Sequence, residues 1–172
     1  MQRQFSAGGV VFRKSQIPNS KSQIMWLVAK STSSKEFPRG FWRLPKGWID
    51  ESKDGKIPGP VSSRKKKASE EEIRNAALRE VRGEGGIEAR IVDKIGTERY
   101  FFTDKGKRVL KFVTFYLMEW LSDLSEGFGF ETEEVKWLSY RYAYNKLTNS
   151  GEKKILAKAK QLLDSGEQES LV

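Results

Sequence analysis

Residues 71–87 read E-E-I-R-N-A-A-L-R-E-V-R-G-E-G-G-I, and this stretch decides the fold. Ser69 stands ahead of Glu70, Glu71 and Glu72. Its hydroxyl can cap the first helical turn while Glu72, three residues on, reaches back: a capping box. Acidic side chains in that turn also suit the positive end of the helix dipole. Ile73, Ala76, Ala77 and Val81 recur at helical spacing and form the buried face. Gly85-Gly86 supplies the stop. Glu80 and Glu84 are four residues apart, so both carboxylates leave the helix on one side. Carboxylates held together repel unless a cation bridges them, which points to an oxygen-liganded divalent metal. Taken alone, the pair would read as a solvated acidic turn.

Upstream, Ala7–Arg13 (AGGVVFR) and Ile24–Lys30 (IMWLVAK) are β-rich runs joined by a polar linker with Pro18, Asn19 and Ser20. Phe41–Gly47 (FWRLPKG) ends in Pro-Lys-Gly, where regular structure should stop. From Asp50 to Lys67 the chain is polar and rich in Gly and Pro, and it closes on Arg64-Lys65-Lys66-Lys67. Loops of that length are functional or mobile; this one is expected to lie outside the core, beside the helix.

Downstream, Ile87–Phe102 and Val109–Trp120 read as strands, with a hairpin turn over Thr103–Lys107. Leu121–Thr132 is an acidic loop and Val135–Ser139 a short strand. Gly151–Asp164 places Ile155, Leu156, Ala159, Leu162 and Leu163 on one face of an amphipathic helix. Strands around two or three helices imply an α/β or α+β sandwich. At 172 residues the chain suits one domain, 1–172, with a basic insertion at about 50–67.

Composition removes much chemistry. With no cysteine and no histidine, the chain offers no thiol nucleophile, no Cys/His zinc site and no Ser-His-Asp triad. Carboxylates, Lys, Tyr, hydroxyls or a hard metal remain, and Mg²⁺ or Mn²⁺ fits that inventory. A net charge of +9 favours anionic partners, although it serves solubility equally well. No apolar run reaches the roughly 18 residues of a membrane span. The N-terminal apolar stretch is too short and Gly-rich for a signal peptide, so a cytoplasmic location is expected.

Glu71, Arg79, Glu80, Val81, Glu84, Gly86 and Ile87, preceded by Gly47, resemble the Nudix box of the Nudix hydrolases. That pattern runs Gly, five residues, Glu, seven residues, then Arg-Glu-aliphatic-any-Glu-Glu-any-Gly-aliphatic. SAGGVVFR and FWRLPKGW resemble the family's first strand and its entry into the box, so the resemblance runs from about Phe5 to Leu163. It implies an α/β/α sandwich with a mixed central sheet and a C-terminal amphipathic helix. Two departures stand out. The interval from Gly47 to Glu71 is much longer than five residues, an insertion that costs little in a loop. The pattern also wants Glu at position 83, where this chain has Gly83. A frayed last turn before Gly85-Gly86 would tolerate that glycine.

Carried over position by position, the resemblance implies that Glu80, Glu84 and the Gly47 carbonyl bind Mg²⁺. It implies that Arg79 pairs with Glu71 and orients Glu80, both in supporting roles. The implied reaction is attack of water on phosphorus in a pyrophosphate linkage. A further carboxylate often precedes a late Trp-containing strand, and Glu131, six residues before Trp137, fits that place ahead of Glu133 and Glu134.

GGVVFR, WRLPKG, RYFFTDKGKRVLKFVTFYLMEW and EEVKWLSYRYA are similar to the branch that splits dinucleoside polyphosphates. There, Lys and Arg bind the polyphosphate and aromatic residues stack an adenine. Arg43, Lys46, Arg99, Lys107 and Lys111 are candidates for the first role; Tyr100, Phe102 and Phe128 are candidates for the second. Each strand aromatic taken singly is more often core, and Trp26, Phe115 and Trp137 are assigned there. The Arg64–Lys67 run could hold distal phosphates, a capped or triphosphorylated RNA 5′ end, or an inositol pyrophosphate; an oxidised purine triphosphate is less favoured. Two other readings are a nucleotide-binding sensor with little turnover, suggested by Gly83, and RNA binding through charge alone.

Overall fold

Alternation along the strands gives the sheet two apolar faces, and each face has its own helical cover. The computed structural model describes residues 1–15 and 22–170, so Pro18, Asn19 and Ser20 lie outside the described residues. The elements are β1 (Gln2–Ser15), β2 (Gln23–Ser31), β3 (Trp42–Arg43), β4 (Lys46–Trp48), α1 (Glu70–Gly85), β5 (Ile87–Asp104), β6 (Lys107–Asp123), β7 (Thr132–Leu138), α2 (Tyr140–Lys146) and α3 (Ser150–Ser170). The seven-stranded sheet runs β3-β2-β1-β6-β5, with β4 added to β1 and β7 to β2. β1 is antiparallel to β2 and β4 but parallel to β6, so the sheet is mixed, as expected.

Neighbouring residues on a strand point to opposite faces. On β1, Val10 and Phe12 join Trp26, Val113, Phe115, Leu117, Leu156 and Ala159 beneath α2 and α3. Ala7 and Val11 join Ala76, Ala77, Val81, Tyr116 and Met118 beneath α1. The α1 start matches the capping-box reading: Glu72 N–H donates to the Ser69 hydroxyl at 3.1 Å, and Glu72 reaches back to the Ser69 N–H. Gly86, at φ 68°, closes the helix in the left-handed region that glycine enters freely. The hairpin turn is also as read, with Lys105 and Gly106 both at positive φ.

Several expectations need correction. Lys46–Trp48 does not leave regular structure; it pairs with Ser6–Gly8 of β1. A side chain at Gly8 would collide with the Pro45 carbonyl, so glycine permits that close approach. The insertion is not wholly outside the core, because Val61 and Ser62 are buried. Asp50 anchors it, accepting from Val61 N–H (3.0 Å) and Ser62 N–H (2.7 Å), while Phe5 N–H donates to the Ser62 carbonyl (2.7 Å). Burial raises the Asp50 pKa, but these hydrogen bonds win and leave it below the ordinary aspartate value. The last turn of α1 is not frayed: the Gly83 carbonyl accepts from Gly129 N–H at 2.7 Å. Trp137 packs against the α1-side core only partly buried, with the Arg13 guanidinium 4.3 Å from its ring. The α2 turn was not anticipated, and α3 extends past Asp164. Among the described residues no helix is long and apolar enough to cross a membrane.

Candidate active site

The Leu44–Gly47 turn is held from three directions. From β1, Gly9 N–H donates to the Pro45 carbonyl at 3.1 Å. From α1, Glu84 Oε2 accepts the Lys46 N–H at 3.0 Å. From α3, Glu152 accepts twice: Leu44 N–H at 2.6 Å and Lys46 Nζ at 2.7 Å. Glu152 is only 2% exposed, so both of its carboxylate oxygens need these partners. Burial pulls the Lys46 pKa down, but Glu152, with Tyr100 and Glu84, holds it above the ordinary lysine value.

On α1, the paired carboxylates are both present and differently treated. Glu84 is 5% exposed. Its Oε1 lies 3.2 Å from Arg43 Nη2, which also donates to the Glu131 carbonyl at 3.1 Å. Burial lifts the Glu84 pKa to about 7, against the pull of Arg43 and Lys46. Glu80 is less enclosed, and burial again raises its pKa; Arg79 opposes that rise, whereas Glu131 and Glu51 add to it. A Cβ at Gly47 would run into the Glu80 carboxyl, so glycine is what lets the turn sit on this acid.

The Arg79–Glu71 pairing is not observed. Arg79 instead donates to the Trp48 and Ile49 carbonyls at 2.9 and 3.1 Å, and stands 3.6 Å from Glu80. Glu71 is exposed and eight residues away along the helix, about 12 Å at 1.5 Å per residue. Arg79 therefore fixes the strand after Gly47 rather than an earlier turn of its own helix.

Beyond the turn, Tyr100 and Lys111 face each other across β5 and β6 on the α3 side of the sheet. Burial lowers the Lys111 pKa to about 8, and Lys46 pushes it the same way; Glu84, Glu80 and Glu152 resist. Among the described residues Lys111 makes no ion pair within 4 Å. Burial also raises the Tyr100 pKa. The fold thus gathers Lys46, Tyr100 and Lys111 near Glu80 and Glu84, with Arg43 adjoining. Arg99 takes the opposite face by strand alternation, and Lys107 sits exposed at the hairpin turn. Phe128 lies in the loop packed on Gly86, and Phe102 extends the Tyr100 face at 6.3 Å between rings. Arg64, Lys66 and Lys67 line a pocket on the α1 side and are not part of this cleft.

The donors fit a hard divalent cation. Glu80 is an acid made costly to ionise by burial and by two further carboxylates, the imbalance a cation relieves. Gly47 lies against it and would lend its carbonyl. Glu84 is already engaged by Arg43, so it would have to share itself. Among the described residues, no three acidic side chains converge as a ready-made metal cage. Gly83 is exposed, and nothing lies within 4 Å of where its Cβ would be, so no steric reason excludes a glutamate there. Two contributors escaped sequence reading. Glu51 had no local signal. Glu152 follows Asn149, whose side chain caps α3, but nothing in sequence said it would turn inward.

Residues 3–159 match the NUDIX domain family. The chain is 28% identical over 159 residues to MutT4 of Mycobacterium tuberculosis, described as a mutator protein. That alignment covers 92% of this chain but only 55% of MutT4, so the chain spans about half the length of this relative. In structure it is similar to an Ap4A hydrolase from C. elegans in a binary complex (TM-score 0.58, 20% identity, 94% of this chain and 98% of the other). It is also similar to the NUDIX domain of Shewanella oneidensis NrtR complexed with ADP ribose (TM-score 0.52, 14% identity, 94% and 88%). With the box on α1, the glycine turn on β1 and a match over nearly its whole length, this chain belongs to the NUDIX domain family.

Proposed function

We propose that the chain is a Mg²⁺-dependent pyrophosphohydrolase that cleaves a pyrophosphate linkage in a nucleoside diphosphate derivative, with a dinucleoside polyphosphate as the favoured substrate. The observation that carries this reading is Lys111: an enclosed cation without a carboxylate partner, beside Lys46 and across from Tyr100. Such a lysine lacks an anion, and a polyphosphate supplies one. Lys46 and Lys111 would neutralise phosphate oxygens, and Tyr100 would offer a ring face to a base. Arg79 and Glu152 would hold the Gly47 turn in place from either end. Glu80, Glu84, Glu131 and the Gly47 carbonyl would hold the metal, which when bound polarises phosphoryl oxygens and acidifies water. The solved Ap4A hydrolase supports the substrate class by its similarity. The domain as a whole, with its 50–67 insertion, and a cytoplasmic site of action are part of the same proposal.

The test is turnover of diadenosine tetraphosphate with Mg²⁺ or Mn²⁺, followed by chromatography of the products. Glu80→Gln and Glu84→Gln should each lower kcat at least about 100-fold, the scale of losing one transition-state electrostatic contact. Parental activity in both variants would reject the site.

A second reading is a nucleotide-binding module with little turnover. It is favoured by the Arg43–Glu84 contact together with the missing carboxylate at Gly83, and by the NrtR domain that holds ADP ribose. It predicts tight binding of ADP ribose or diadenosine tetraphosphate with no product. Triphosphorylated RNA belongs in the same assay as an alternative substrate.

A further inference from the structure

We propose that the pocket between the insertion and the α1-side face of the sheet is a second binding site, for a mononucleotide, separate from the Lys46–Lys111 cleft. Its cavity of about 210 Å³ is framed by Phe5 and Phe112, by the Thr97 and Thr114 hydroxyls, and by Arg64, Lys66 and Lys67. Phe5 and Phe112 are stacked, with centroids 5.0 Å apart and planes within 6°. The Arg64 guanidinium lies 4.7 Å from the Phe5 ring centre.

Charge names the ligand class. Among the described residues none of Arg64, Lys66 and Lys67 makes an ion pair within 4 Å. Three cations around one mouth match a phosphate dianion better than a single carboxylate. Arg64 is held at φ 65°, a region in which a non-glycine residue is uncommon. Below the cations, the flat aromatic pair and its stacked guanidinium favour a planar ring, and the Thr97–Thr114 hydroxyls, 3.2 Å apart, offer polar contacts to its edge. The size limits it further: the cavity is smaller than the roughly 300–1,000 Å³ of drug-sized pockets, so it suits one ring system with an external phosphate.

The separation follows from the sheet. Lys111 and Phe112 are neighbours on β6 and so point to opposite faces. Ile73, on the pocket wall, precedes Glu80 by seven residues, about 10 Å along the helix.

The probe is AMP, which contains no pyrophosphate linkage and is not consumed. Calorimetric titration in a Lys111→Met background weakens the cleft's contribution, and the pocket variants report on the binding that remains. AMP should bind with 1:1 stoichiometry, at least tenfold more tightly than inorganic phosphate or adenosine alone. Replacing the exposed Arg64, Lys66 and Lys67 together by Gln should weaken AMP at least tenfold. Thr97→Trp, which fills the pocket without changing charge, should do the same. If AMP does not bind in the Lys111→Met protein, ignores both pocket variants, or binds no better than phosphate, the proposal is overturned. Should the cleft reading fail instead, the parent and Lys111→Met proteins give the same AMP isotherm and the pocket variants still weaken it at least tenfold.

Discussion

The cleft and the insertion pocket treat positive charge in opposite ways. In the cleft, Arg43 is joined to Glu84 and Lys46 to Glu152, while Lys111 makes no ion pair within 4 Å among the described residues. In the pocket, Arg64, Lys66 and Lys67 ring an aromatic floor and make no ion pair within 4 Å among the described residues. Cations wired to buried carboxylates set the shape of a turn, because breaking either partner leaves an uncompensated charge. Cations without partners are held ready for an anion from outside. The cleft is therefore a built framework with one open charge, and the pocket a set of open charges on a simple floor.

The largest effect should come from breaking the framework. Glu152→Ala strands Lys46 and the Leu44 N–H in a buried place, and should cost about 3–5 kcal/mol of stability. Glu152→Gln keeps an acceptor for Leu44 but not the charge, and should cost visibly less. Denaturant melts of both variants measure this, and a loss below about 1 kcal/mol in Glu152→Ala would show that the α3 contact does not hold the turn.

Next comes the charge missing from α1. Gly83→Glu adds a carboxylate on the Glu80–Glu84 side of a helix that is intact at this point. The expected gain in kcat is at least about tenfold, equivalent to about 1.4 kcal/mol. The helix itself should gain up to about 1 kcal/mol, since glycine is the poorer helix former. An unchanged kcat at saturating Mg²⁺ would leave Glu131 or Glu51 as the carboxylate that matters.

A smaller and opposite effect is expected at the open charge. Lys111→Met removes an ammonium that burial makes costly, so the variant should be more stable at pH 7 by on the order of 1 kcal/mol, about 2–4 °C in Tm. It should also bind diadenosine tetraphosphate more weakly. The pH dependence follows from the depressed lysine pKa: between about 8 and 10.5 the unfolded chain holds more protons at this position than the folded one. Stability contributed by this group therefore rises with pH across that window, and the difference between parent and variant should shrink there. Melting curves at pH 7 and pH 10 decide it.

Smallest of all should be the stability change from replacing Arg64, Lys66 and Lys67 by Gln, within about 0.5 kcal/mol for exposed side chains. A large loss would mean that their charges hold the insertion down, which would merge the two halves of the comparison.

What the sequence determined by itself was local. The capping box, the buried stripe of α1, the Glu80–Glu84 pair, the long β5–β6 hairpin and the amphipathic α3 follow from spacings of two, three or four residues, which backbone geometry translates directly into direction. What only tertiary structure decided was pairing across the chain. Glu152 meets Leu44 and Lys46 from 108 and 106 residues away, a contact created by α3 packing on the face to which β4 brings its turn. Arg79 chose the Trp48 and Ile49 carbonyls over Glu71 because a helix separates residues eight apart, whereas the β4 turn passes close by. Val61 and Ser62 became buried because the inserted loop folds back on β1, which its polar composition did not foretell. Charge balance is the clearest case: each lysine looks alike in sequence, and whether it is paired or open depends on which distant carboxylate the sheet order brings beside it.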